Sequence, residues 1–131
     1  MSCQLSLVQT QWIMLENFYD IETDDEEYER LILKAQFVAA EGREVLAEAE
    51  NQLLALRPML VETEERVRQW SQWLDEARAN GNSTEEAECL RGLEECMQFA
   101  ESLHQRIQTL EQVKTNLTEH LMWIKAKATH A

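Results

Sequence analysis

The sequence predicts an all-α protein: a long antiparallel helical hairpin, coiled-coil-like, with a short N-terminal helix and completion as a helical bundle on dimerisation. Three observations carry this expectation. The first is a run in which apolar or small residues return at three- and four-residue steps: Leu31, Ala35, Val38, Gly42, Val45, Ala49, Leu53, Leu56, Leu60, Thr63, Val67, Trp70, Leu74 and Ala77. The second is a matching series from Cys89 through Leu93, Cys96, Ala100, Leu103, Ile107, Leu110, Lys114, Leu117, Leu121 and Ile124 to Ala128. Alternating steps of three and four are the heptad signature of helices that bury one seam against another long helix. The third is the short polar segment between them, Asn80-Gly81-Asn82-Ser83, which contains the chain's clearest turn chemistry.

Composition agrees. One proline and three glycines in 131 residues leave few places to turn, and a hydrophobic content of 44% supplies a core for a single domain. Twelve basic against 25 acidic residues give a net charge of −13. Such a surface repels nucleic acid and anionic membranes, so neither is expected as a direct partner, and proteins with basic surfaces are favoured. Neither a signal-peptide pattern nor an apolar run of membrane-spanning length is present, and Cys3, Cys89 and Cys96 read as reduced thiols. The expected location is the cytoplasm, or a host's cytoplasm if the protein is viral.

In chain order, Leu5, Val8, Trp12, Leu15 and Tyr19 keep helical spacing and predict an amphipathic helix over about residues 4–20. Eight carboxylates lie between Glu16 and Glu29, and Thr23-Asp24-Asp25-Glu26 has the form of a capping box. Carboxylates at the positive end of a helix dipole explain much of this cluster without a ligand. The first long helix then covers about residues 24–80. Pro58 lies inside it, where the ring removes one hydrogen bond and clashes with the carbonyl of Leu54, at a cost of about 3 kcal/mol. Because the stripe keeps its phase and no turn residues flank Pro58, a kinked continuous helix is expected; a break there would make a three-helix bundle instead. Gly81 is expected to close this helix, with Ser83 and Glu86 forming a second capping box for the next, over about residues 83–129.

A two-helix seam does not use every apolar residue. Leu46, Leu54, Met59, Val61, Trp73, Leu90, Met97, Phe99 and Val113 fall outside it, and the N-terminal helix is too short to cover them all. Trp12, Leu15 and Tyr19 are expected to cover Ile32, Phe37, Met122 and Trp123 at the open end of the hairpin. The rest need a second copy of the chain, which is the preferred reading, or a helix of another protein. The expected function is therefore a non-enzymatic protein–protein interaction module (an adaptor, assembly subunit or chaperone) binding through Leu46, Leu54, Met59, Trp73, Leu90 and Met97. The alternative rests on charge: a small acidic inhibitor, of the kind phages encode, could mimic the nucleic-acid backbone through Glu85, Glu86, Glu88, Glu94, Glu95 and Glu101 and block a basic site of a host enzyme.

No catalytic, cofactor or metal site is expected. Glu101 and His104 have the Glu-x-x-His spacing of di-iron bundles, but no second pair accompanies them. Cys89 and Cys96 lie seven residues apart on the seam, where cysteine acts as a small apolar residue.

Overall fold

The computed structural model describes residues 25–129, and the side chains of 26–127. The expected N-terminal helix and the Thr23 capping box lie outside the described residues. Two helices account for the rest: α1, Asp25–Ala79, and α2, Ser83–Thr129, packed as an antiparallel hairpin. No strand occurs among the described residues.

The fourteen stripe positions of α1 are all buried or half-buried, and so are the eleven described positions of the α2 stripe. The helical period therefore did its expected work, placing one seam per helix against the other. Pro58 does not break α1, which continues through it. The proline and Leu54 are both exposed. The carbonyl that loses its donor thus lies on the solvent side, where water can replace the missing N–H.

The turn is built by Gly81 and Asn82. Gly81, at φ 68°, takes the left-handed conformation that L side chains resist. Its N–H donates to the Arg78 carbonyl at 3.2 Å, and the Asn82 N–H donates to the Ala77 carbonyl at 3.0 Å, which is the Schellman closure of α1. Asn82 then starts α2: its carbonyl accepts from the Glu86 N–H at 2.9 Å and its side-chain Oδ1 accepts from the Glu85 N–H at 3.2 Å. This corrects the expected Ser83 capping box. The cap sits one residue earlier, and the Glu86 carboxylate accepts from the Arg78 Nε at 3.1 Å instead.

The hairpin comprises two compact units. The first contains α1 up to Glu50 and α2 from Gln112. Its core is Ala35, Val38, Ala39, Val45, Leu117 and Ile124, with Leu46, Val113, Leu121 and Trp123 packed against it. Lys114, the one charge on the stripe, is only half-buried and directs Nζ to the Glu50 carboxylate at 3.9 Å. It solves its own desolvation problem by reaching outward.

The second unit is Asn51–Glu111. Its buried residues include Leu53, Leu56, Leu74, Ala77, Cys89, Ala100, Leu103, Ile107 and Leu110. Thr63 is buried too, its hydroxyl donating to the Met59 carbonyl at 2.7 Å, so the seam carries no orphaned polar group at that position. Trp70 packs on α2 at Gly92, where a Cβ would come within 2.6 Å of the indole.

Candidate interaction surface

The second unit holds most of the residues expected to meet a partner. Heptad spacing puts Leu54 and Val61 on one row of α1 and Leu90, Met97 and His104 on one row of α2. Two inter-helix contacts mark the side of the hairpin on which these rows open. Arg57 Nη2 donates to Glu111 Oε1 at 2.9 Å, and His104 Nε2 lies 3.6 Å from Glu64 Oε1. Leu54 and Val61 each stand three residues before one of the α1 partners, and Met97 stands seven before His104. A shallow open groove runs here, floored by Val67 and Ala100 and walled by Met97, His104, Glu64 and Arg68. Both contacts are half-exposed, so they orient side chains along the rim and add little to stability.

Exposure sorts the expected contact residues. Leu54 is 70% exposed, Met97 54%, Trp73 47%, Met59 42% and Leu90 37%. Leu46 departs from the expectation: it belongs to the first unit, half-buried against that unit's core. Being one residue off the stripe, it leans inward enough to be shared by the core. Val61 and Phe99 are as open as the expected residues, at 67% and 46%. Their position outside the seam was the available signal.

A different set lies on the other flank of the seam. Met59, Arg66 and Trp73 repeat at seven residues on α1, as Gly92, Phe99 and Arg106 do on α2. Trp73 meets Trp70 edge-on, with ring centroids 5.0 Å apart and planes at 89°. This T-shaped geometry is a favoured one for aromatic pairs, and it fixes the half-exposed Trp73 ring in place.

The acidic residues divide as well. Glu85, Glu88, Glu94, Glu95 and Glu101 are exposed and make no ion pair among the described residues. Glu86 is half-buried and held by Arg78, so it is not free to meet a cation.

His104 and Glu101 both border the groove, but among the described residues no cluster of three or more His, Cys, Asp or Glu could hold a metal ion. Cys89 is buried and Cys96 half-buried, both as free thiols. Desolvation at Cys89, followed by the negative fields of Glu85, Glu88 and Glu76, raises its thiol above the ordinary value of 9.0. Two outcomes follow. Alkylation of Cys89 by iodoacetamide at pH 8 is expected to be slower than that of a model thiol and to quicken in Glu85→Gln. Because the folded thiol keeps its proton to higher pH than the unfolded one, its contribution to stability is intact below pH 9 and declines as pH rises through the folded-state value. Urea midpoints at pH 8 and pH 10 are expected to differ less in Cys89→Ala than in the wild type.

Comparison with protein-family models, with curated proteins and with solved structures gives no match for this chain. Among the described residues, no helix is long and apolar enough to cross a membrane.

Proposed function

We propose that the chain is a non-enzymatic protein–protein interaction module that presents the outer face of a helical hairpin to partner helices, as an adaptor, assembly subunit or chaperone does. One observation supports this most: within the second unit, Leu54, Met59, Val61, Trp73, Leu90, Met97 and Phe99 are each more than a third exposed on helices whose seam is otherwise well buried. Large apolar side chains held in water carry an unfavourable hydration free energy that is relieved when another surface covers them. Methionines at the rim suit partners of varied shape, because the unbranched thioether adapts its rotamer to the contact. A second copy of the chain is the first partner to consider, since heptad rows on both helices can complete a four-helix bundle.

The test has two parts. Light scattering after size exclusion at low and high salt reads the mass, where a value near twice 15.3 kDa identifies a second copy as the cover. The complex, with itself or with another protein, is expected to survive 0.5 M salt and to weaken at least tenfold in Leu90→Asp/Met97→Asp. Full binding by that variant would overturn the proposal.

The exposed carboxylates of Glu85, Glu88, Glu94, Glu95 and Glu101, which make no ion pair among the described residues, support a second reading, in which the chain occupies a basic nucleic-acid-binding site of another protein by charge mimicry. There the roles reverse. Binding would fall steeply with salt and with Glu→Gln at Glu85, Glu88, Glu94, Glu95 and Glu101, and the apolar variant would bind normally.

A further inference from the structure

The groove of the second unit has a chemistry that narrows the kind of partner it fits. Val67 and Ala100 make its floor and Met97 part of its wall, and Glu64, Glu94 and Glu101 stand around that apolar strip. Its opening follows from register. Arg57–Glu111 and Glu64–His104 lie seven residues apart on each helix, and one further heptad brings Ser71 opposite Met97. A serine at that step and an alanine at 100 leave space that longer side chains would fill.

We propose that this groove docks a cationic amphipathic helix of another protein. The apolar stripe of that helix lies on Val67, Met97 and Ala100, and its flanking lysines or arginines meet Glu64, Glu94 and Glu101. Such a partner is one case of the helix docking proposed above, and the inference rests on that reading.

Charge selects this occupant. Arg68, the one arginine of the lining, donates from Nε and Nη2 to Glu65 at 3.1 and 2.6 Å, so its charge is already met within α1. Glu94 and Glu101 are exposed and make no ion pair among the described residues. Glu64 lies 3.6 Å from His104, a neighbour that carries charge only when protonated. An apolar floor inside an anionic rim favours a helix whose stripe is edged by cations, and the aliphatic stems of lysine and arginine can cover the floor's margins.

Dimensions agree. Glu94 to His104 spans ten residue steps, about 15 Å or nearly three turns, enough for a partner's apolar residues at i, i+3 or i+4, and i+7. Glu94 and Glu101 stand one heptad apart on one row of α2, so cations spaced seven residues apart on one edge of the partner would meet both. A second copy suits this groove poorly. It brings the same three carboxylates and a net charge of −13, and Arg57, Arg66, Arg68 and Arg78 of its second unit are already engaged by Glu111, Glu62, Glu65 and Glu86.

The full chain can be titrated with three labelled helical peptides of about 18 residues that share one leucine–alanine stripe and carry lysine, glutamine or glutamate on its edges. At 0.1 M salt the lysine peptide is expected to bind at least about tenfold more tightly than the glutamine peptide, with the glutamate peptide weakest. Raising salt to 0.5 M should shrink that advantage without abolishing binding, because the apolar contacts remain. Glu64→Gln/Glu94→Gln/Glu101→Gln should bring the lysine peptide to within about threefold of the glutamine peptide, while Glu85→Gln/Glu88→Gln/Glu95→Gln, which removes equal charge outside the groove, keeps most of the advantage. Met97→Gln should weaken both peptides at least about threefold. None of these positions is buried. Equal losses in the two triple variants would mean that net charge alone attracts the peptide, and would overturn the proposal. Lysine and glutamine peptides that bind equally, both weakened by Met97→Gln, would overturn it and leave apolar docking standing. Lysine-peptide binding untouched by Met97→Gln would count against both. Failure of all three peptides to bind, as when a second copy fills the groove, would overturn the proposal as well.

Discussion

Leu53→Ala is expected to lower unfolding free energy by about 2–5 kcal/mol, and Leu54→Ala to change it by no more than about 0.5 kcal/mol. The two leucines are neighbours in sequence with the same side chain and the same helix propensity. They differ in phase. Leu53 is 2% exposed and Leu54 70%. Truncating Leu53 removes a buried side chain and leaves a cavity whose walls are parts of two long helices, which relax poorly because each is anchored by the seam on either side. Truncating Leu54 removes atoms that water already touches. Urea unfolding followed by circular dichroism separates the two directly, provided m is unchanged. The same pair also tests the functional reading, because partner binding should respond in the opposite order: Leu54→Ala weakens the complex without weakening the fold. Similar losses of stability in both variants would mean that Leu54 is covered in the free protein, and the proposed surface would lose one of its members.

That the seam could be read from the residues follows from periodicity. A heptad series needs no knowledge of its partner to declare which side is inward, and the stripe from Leu31 to Ala77 is inward throughout. Continuity through Pro58 was legible for the same reason: the phase on either side agreed. Features that depend on register or on a single residue's geometry were less accessible. Asn82 and Ser83 are both good capping residues, and the backbone after Gly81, not the composition, decides that the Asn82 side chain bonds to the Glu85 N–H. Leu46 shows the limit of a stripe drawn one residue wide, since a real seam has flanks that are partly inside. At the candidate surface, the rows of Leu54 and Val61 and of Leu90 and Met97 could be listed from spacing. Which side of the hairpin they share became evident only with the Arg57–Glu111 and Glu64–His104 contacts.

Gly92→Ala is expected to destabilise the protein by up to about 2 kcal/mol, against the direction that helix propensity dictates. Glycine inside a helix costs roughly 1 kcal/mol relative to alanine, so an open site would reward the change. Here the added Cβ would fall 2.6–2.7 Å from Cε2, Cδ2 and Cζ2 of Trp70. These are atoms of a rigid ring, and no rotation about a terminal bond can move them aside. The ring cannot simply tilt away either, because it stands edge-on to Trp73 at 5.0 Å and is half-buried in the second unit. Relief requires the helices to part or the indole to leave its rotamer, and overpacking of this kind costs about 1–3 kcal/mol, which outweighs the propensity gain. The effect belongs to the pair more than to either residue. In a Trp70→Leu background the smaller side chain vacates the space, and Gly92→Ala should become neutral or stabilising by up to about 1 kcal/mol. A double-mutant cycle by urea unfolding reads this as strong non-additivity, with the near-ultraviolet dichroism of the Trp70–Trp73 pair reporting whether the ring moved. Additive effects would mean that Trp70 does not rest on Gly92. The glycine would then have no packing reason to interrupt α2, and the half-exposed Trp73 would lose the neighbour that holds it in position for a partner.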